Sequence, residues 1–465
     1  MAPEPCPRSR CRLLELPAEL IDLVLTFLSA RDLVAVSSTC HTLLSHARND
    51  ILWANLVNEN LPEKIATPGQ FGSFRELYAF HYPYWFIPRY RIWFSDSAHT
   101  GRMVVARYDN RRGVIEAYRV VAERSPSIQD LVWDEGAVFT TFNPRVRLWF
   151  DDPVINLKDC RFRGGQQRLP GEVRMPMVTE RIFNSIAVCA ATCEEDWTAE
   201  LSPALWPPVT IPSAKRVYRN PADELRALTL KENKANSRHV CEIAFRLIQW
   251  ISLGPGYPAF LAHDNPSTFA TLHPSLYTPT NEKPYQGIWV GDYSMHGCEF
   301  LLFLQRDEET LRATSTREHY EIPDLPEDNE GNDNISSTSE ENHTGEPGES
   351  GGQGGFPAEN LGPGESGRLE AIKLTGDPNV PRGEISFVAR DIGPKGTLKI
   401  ADREPFKGAR MVRSWGHVAH HNFGDPQWIK GQLILMSHDC VAHYWEAMNH
   451  ISYFRRVNVD KLFES

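Results

Sequence analysis

The spacing of apolar residues changes character along the chain. Between residues 12 and 58 it is helical: Leu20, Ile21, Val24, Phe27 and Leu28 form one stripe. Pro17 suits the first turn of that helix, where its missing N–H costs nothing. Ser29 followed by Asp32 has capping-box spacing and predicts a second helix carrying Leu33, Val36, Ser37 and Cys40. A third short helix is expected over 41–48, and the compact segment closes near Trp53. Residues 59–83 read as a connector, with turn signals at Leu61-Pro62 and Thr67-Pro68-Gly69. From Tyr84 the period shortens to two. Val146, Leu148 and Phe150 alternate with Arg145, Arg147 and Trp149. Strands are expected at 103–108 and 114–121, joined by a hairpin ending at Gly113, and at 287–291, 299–305, 368–374, 384–390 and 432–437. Val240, Ile243, Ala244, Leu247, Ile248 and Ile251 recur at helical spacing and predict a helix over 237–252. Strand alternation through Cys241, Ile243, Phe245 and Leu247 competes with it.

The expected fold class is therefore α+β: a small all-α segment, then a large, mainly antiparallel, barrel-like β domain. The 34 prolines and 31 glycines fit many turns. The domain reading is a disordered lead (1–11), a helical unit (12–58), a connector (59–83), β-rich halves (84–317 and 367–465) and an insert (318–366). From Glu321 to Ser366 there are twelve acidic residues and no Lys or Arg. Such a stretch has too little apolar area to offset the cost of ordering, so a disordered insert is expected. Without residues 321–366 the chain has 48 acidic against 49 basic residues, and nothing in the bulk charge gives the basic footprint of nucleic-acid binding. Nine scattered cysteines without a CxxC pair fit a reducing compartment, cytoplasm or nucleus, and no zinc site. No apolar run approaches the ~20 residues of a membrane helix. Gly348-Glu349-Ser350-Gly351-Gly352 fits G-x-S-x-G but sits in the low-complexity insert, without the strand and helix a nucleophile elbow needs. The C-terminal histidines, among them His417, His443 and His450, lack a metal-ligand pattern.

Leu16-Pro17, Glu19-Leu20, the Leu28 close, Asp32-Leu33, Val36 to Cys40 and Trp53 together resemble the F-box over about 45 residues. The resemblance implies docking on the adaptor Skp1 and, through it, on a cullin. It puts Leu16, Pro17, Leu20, Ile21, Val24, Leu28, Leu33, Val36 and Cys40 at partner-facing or supporting positions, without saying which is which. A second resemblance rests on Pro284 to Gly297, Glu299-Phe300-Leu301 and Lys373 to Pro381, which are similar to the β-barrel-like domain of F-box only proteins of the cyclin-D1-binding type. Trp85 to Phe94 and Ala106 to Tyr118 resemble the upstream part of fungal relatives. The acidic insert departs from that pattern.

In the first of these blocks, glycines let the backbone turn or approach a ligand. Trp289 and Tyr293 offer the amphipathic surface typical of interaction hot spots. Asp292, Ser294 and His296 can orient a peptide by hydrogen bonds; Trp289 is either part of that rim or barrel core. Thr375 and Asp377 lie in a turn that either borders a pocket or is only a turn. The function expected from the resemblance is the substrate-recognition subunit of an SCF (Skp1–cullin–F-box) ubiquitin ligase, without catalytic residues, metal or cofactor. Its partners would be Skp1, a cullin and a protein substrate, cyclin-like or otherwise, with no nucleic acid and no membrane. The rivals are a Skp1-bound scaffold outside any ligase and a β-domain hydrolase, for which no nucleophile–base set stands out.

Overall fold

The protein's structure, a computed structural model, describes residues 11–95, 100–123, 130–132, 138–140, 144–158, 173–175, 182–190, 205–208, 210–213, 217–218, 240–251, 260–261, 266–293, 296–307, 325, 362 and 364–464. Apart from Leu325, Gly362 and 364–366, the acidic insert lies outside the described residues, as does the G-x-S-x-G match.

Among the described residues six α-helices come first: α1 (Ala18–Leu25), α2 (Ala30–Ser37), α3 (His41–Ala47), α4 (Asp50–Asn58), α5 (Phe74–His81) and α6 (Phe86–Tyr90). Pro17 stands directly before α1. At α2 the expected capping box is present: Ser29 Oγ accepts the Asp32 N–H at 3.2 Å and donates to its carboxylate at 2.7 Å. Cys40 lies not on α2 but at the N-cap of α3. Trp53 sits inside a fourth helix, its indole N–H bonded to the Ala47 carbonyl at 2.8 Å. Ile21, Leu25, Leu33, Leu43, Leu52, Trp53 and Val57 close the helical core, with Phe74 and Leu77 of α5 added from the connector region.

The first β layer is an open, curved sheet. Its strand order is Arg145–Trp149, Val114–Glu123, Arg102–Asp109, Ile92–Ser95, Ser267–Ala270, Val240–Ile251, Ile182–Ala190 and Val173–Met175, all antiparallel. The second is a closed eight-stranded barrel: Gly287–Asp292, Cys298–Arg306, Arg368–Lys373, Ile385–Ala389, Arg410–His420, Gly424–Ser437, Cys440–Trp445 and His450–Arg456. The last strand pairs with the first through Trp289↔Arg456 and Gly291↔Phe454, which removes the free edges of the sheet. Period-two alternation sorts the side chains. Trp289, Leu301, Phe303, Phe387, Leu433 and Phe454 fill the barrel. Ile288, Val290, Leu302, Ile372 and Val388 point outward into a core shared with the open sheet.

The helix expected over 237–252 is instead a long strand, Val240–Ile251. It pairs with both neighbours, Phe245↔Val188 on one side and Phe245↔Phe269 on the other. Ala244, Phe245, Ile248 and Trp250 are all buried. A central strand covered on both faces needs no polar alternation, and its apolar run imitates helical spacing.

Candidate functional site

Two surfaces stand out. The first is the outer face of α1 and its flanks. Leu16, Leu20, Leu23, Val24 and Phe27 recur at the spacing of one helix face and are all exposed, Phe27 at 83%. Val34 on α2 and Ile51 on α4 are further exposed apolar side chains of the helical unit. The opposite face of α1, Ile21 and Leu25, is buried. Asp22 anchors the helix by accepting hydrogen bonds from His46 Nδ1 at 2.8 Å and Asn49 Nδ2 at 3.0 Å. An exposed apolar stripe of this kind is the usual form of an interaction surface.

The structure thus divides the expected docking residues. Leu16, Pro17, Leu20 and Val24 face outward. Ile21 and Leu33 are buried core, and Leu28, Val36 and Cys40 are partly buried supports packed against it. Leu23 and Phe27, the more exposed members of the stripe, were missing from the expected set, although their i+3 and i+4 spacing is legible.

This helical unit is fastened to the open sheet. The buried His81 ring meets Tyr108 edge-on at 5.4 Å, and Trp85 at 5.4 Å. Gln70 donates to the Arg112 carbonyl and Asn110 to that of Thr67. Burial pushes His81 down to about 4, so it is a neutral joint residue.

The second surface is a pocket of about 370 Å³ at one mouth of the barrel. The first strand delivers Tyr293 just past its end, and the third ends at Lys373. Lys373 Nζ is 2.9 Å from Glu299 Oε2 and 2.6 Å from Asp377 Oδ2, and it lies 4.3 Å from the centre of the Tyr293 ring. Tyr293 and Ser386 share a hydroxyl–hydroxyl bond of 2.5 Å. Asp377 Oδ1 accepts the N–H groups of Asn379 and Val380, which fixes the turn. Burial raises the Glu299 carboxyl to about 8, against the pull of Lys373. Burial opposes the Asp377 carboxylate as well, but Lys373 and the hydrogen bonds it receives carry it down to about 2. One buried cation is thus balanced by one ionised acid beside one protonated acid. Around this floor, Val380, Val418, Trp445 and Met448 supply apolar wall, and Asn379, Ser386, His417, His450 and Ser452 supply polar atoms. An apolar cavity with a few convergent polar groups is the usual form of a ligand site.

Of the residues expected at this rim, Tyr293, His296 and Asp377 line the pocket. Thr375 supports it, accepting the Phe300 N–H at 2.8 Å. Asp292 is buried and faces His450 electrostatically. Ser294 lies outside the described residues. Trp289 does not reach the pocket: it is fully buried, stacked on Phe303 with ring centres 4.4 Å apart. Lys373, Ser386, His417, His450 and Ser452 were not anticipated, since the chain distance between them hides a site that barrel closure assembles. Among the described residues no group of three or more His, Cys, Asp or Glu could hold a metal ion.

Comparison with known proteins fits this division. The family model described as F-box-like matches residues 13–59, and the one described as the Cyclin D1 binding domain matches residues 269–461. The architecture is an F-box-like helical domain joined to a β body that ends in a closed barrel. This chain carries an F-box-like domain at its N-terminal side and a Cyclin D1 binding domain that includes the whole barrel. The open sheet up to residue 268 lies outside both matches. The F-box-like domain supports a general role as an SCF adaptor, a class that is typically non-catalytic, and implies binding to Skp1 and a cullin complex.

Among curated proteins the chain is similar to Protein EXECUTER 2, chloroplastic, of Arabidopsis thaliana, 37% identical over 70 residues, 15% of this chain and 11% of that protein. It is also similar to Protein EXECUTER 1, chloroplastic, of the same plant, 29% identical over 104 residues, 20% of this chain and 15% of that protein. Protein EXECUTER 2, chloroplastic, of Oryza sativa subsp. japonica is 37% identical over 71 residues, 15% of this chain and 11% of that protein. The matched segments span only 11% to 15% of the length of these relatives.

Proposed function

We propose that this chain is the substrate-recognition subunit of an SCF E3 ubiquitin ligase, acting in the cytoplasm or nucleus. Leu16, Pro17, Leu20, Leu23, Val24 and Phe27 dock on Skp1, and the barrel mouth around Tyr293, Asp377, Ser386 and His417 holds a short segment of a target protein. The observation that carries this reading is the exposed apolar stripe of α1, on a helical unit closed on its other face and fastened to the β body. The chain performs no bond-making step. It holds a target near the ubiquitin carrier, and the gain is one of effective concentration. The Cyclin D1 binding domain match supports a cyclin-like protein as the target class.

The test is affinity purification of the full chain. Recovery of Skp1 together with a cullin is the expected result. Skp1 without a cullin would place the chain outside ligases, and recovery of neither would refute the docking assignment. Tyr293→Ala should lower target recovery and leave Skp1 recovery unchanged; unchanged target recovery would remove the mouth from the reading.

A further inference from the structure

One face of the open sheet, carrying Met103, Val105, Val120 and Leu148, is turned into the core shared with the barrel. The opposite face ends in a group of exposed cations. The register Val104↔Arg119↔Trp149 forms one row across three strands of that face, and Val121↔Arg147 belongs to the next. Arg102, two residues before Val104 on its strand, shares the face and stands diagonal to Arg119. Val104, Ala106, Ile115 and Ala117 on the same face are buried together with Phe86 and Ile87 of α6. Beyond that cover Arg102, Arg119 and Trp149 are exposed, Trp149 at 37%.

The charges on this face are unevenly spent. Arg147 donates to Glu123 Oε1 through Nη2 at 2.5 Å and Nε at 3.2 Å, and Asp151 acts on it as well. Arg145 acts on the same Glu123 carboxylate. Arg102 and Arg119, by contrast, have no hydrogen bond or ion pair with an acid among the described residues. Partial desolvation, and then the charge of Arg119, lower the pKa of Arg102, as expected of two cations set side by side. Like charges on neighbouring strands repel, so an anion between them would relieve a cost that the fold leaves standing. Beside them Trp149, with the Arg147 guanidinium 5.5 Å from its ring centre, offers a broad amphipathic surface.

We propose that this end of the open sheet docks an acidic segment of a protein partner, with carboxylates on Arg102 and Arg119 and an apolar side chain on Trp149. Guanidinium forks match carboxylate geometry, and charge-assisted bonds of this kind are the stronger ones. Charge complementarity favours a short acidic segment over a nucleic acid. Two unspent arginines neutralise few phosphates, and the chain as a whole carries a formal charge of −11, which repels a long polyanion. The surface lies outside both the F-box-like and the Cyclin D1 binding domain matches, so it is additional to the α1 stripe and the barrel mouth.

The probe is a short labelled peptide of alternating glutamate and leucine, titrated by fluorescence anisotropy at low salt into the full chain, with labelled oligothymidylate in parallel. The native chain should bind the peptide more tightly than the oligothymidylate. Arg102→Glu with Arg119→Glu should weaken peptide binding by at least about tenfold, and Trp149→Ala by about threefold. Arg102→Gln with Arg119→Gln removes the charges without adding acids and should weaken it by at least about fivefold; it keeps the test open if the reversals disturb folding. Lys399→Glu with Lys430→Glu, at exposed positions of the barrel, should leave peptide binding unchanged. No binding of the peptide to the native chain, or an equal loss from the barrel reversals, would overturn the site. Tighter binding of the oligothymidylate, lost on the same arginine reversals, would overturn an acidic protein segment as its occupant.

Discussion

Single buried residues carry opposite pH signatures. Glu299, raised by burial to about 8, keeps a proton in the folded chain that an unfolded carboxyl, with its ordinary value of 4.5, has already released. Its contribution to stability is full below about pH 4.5 and is lost as pH rises through 8. His81 and His443 act the other way. Burial lowers them to about 4 and about 3, so the unfolded chain binds protons first and stability falls as pH drops below their ordinary 6.5. Urea unfolding followed across pH should therefore show a component of stability that declines between about pH 4.5 and 8 and that Glu299→Gln removes; an unchanged pH dependence over that window would contradict the protonated assignment. Trp289 and His296, close in sequence, should also separate. Trp289→Ala empties a fully buried, stacked position and should cost about 3–5 kcal/mol of stability. His296→Ala at the exposed rim should stay within about 0.5 kcal/mol.

At the scale of elements, legibility followed the physics of exposure. The capping box at Ser29–Asp32 and the one-sided stripe of α1 were readable because each has a polar side that marks its period. Ser29→Ala should cost about 1 kcal/mol in the stability of the helical unit, measured by thermal unfolding, and no change would mean the cap contributes nothing. Strands 102–109 and 114–123 were readable through their polar hairpin, and five of the eight barrel strands through short apolar runs between turn signals, whereas 410–420, 440–445 and 450–456 were not read. The strand over 240–251 was misread as a helix because both its faces are covered. Helix α5 was missed because its cap, Ser73, opens an aromatic segment of little apolar contrast in which His81 is buried like a hydrophobe. The pocket was half legible. Tyr293 and Asp377 stand in turn-rich blocks, whereas Ser386, His417 and Ser452 reach the mouth only once eight strands close in register.

At the scale of the whole molecule, the arrangement joins the two candidate surfaces through a packed seam. The helical unit carries its apolar stripe outward, and Tyr108, His81 and Trp85 lock its other side to the open sheet, which in turn shares a core with the barrel. A receptor that works by proximity needs such a seam, because a swinging joint would dilute the effective concentration of the target. The stripe of α1 is the central claim, and the direct measurement is the affinity of the purified full chain for Skp1, native against Phe27→Glu. Phe27 is exposed, so the variant should fold like its parent. Losing a buried aromatic side chain and burying a charge in its place should weaken binding by at least about a hundredfold. Equal affinity of the two proteins would contradict the account.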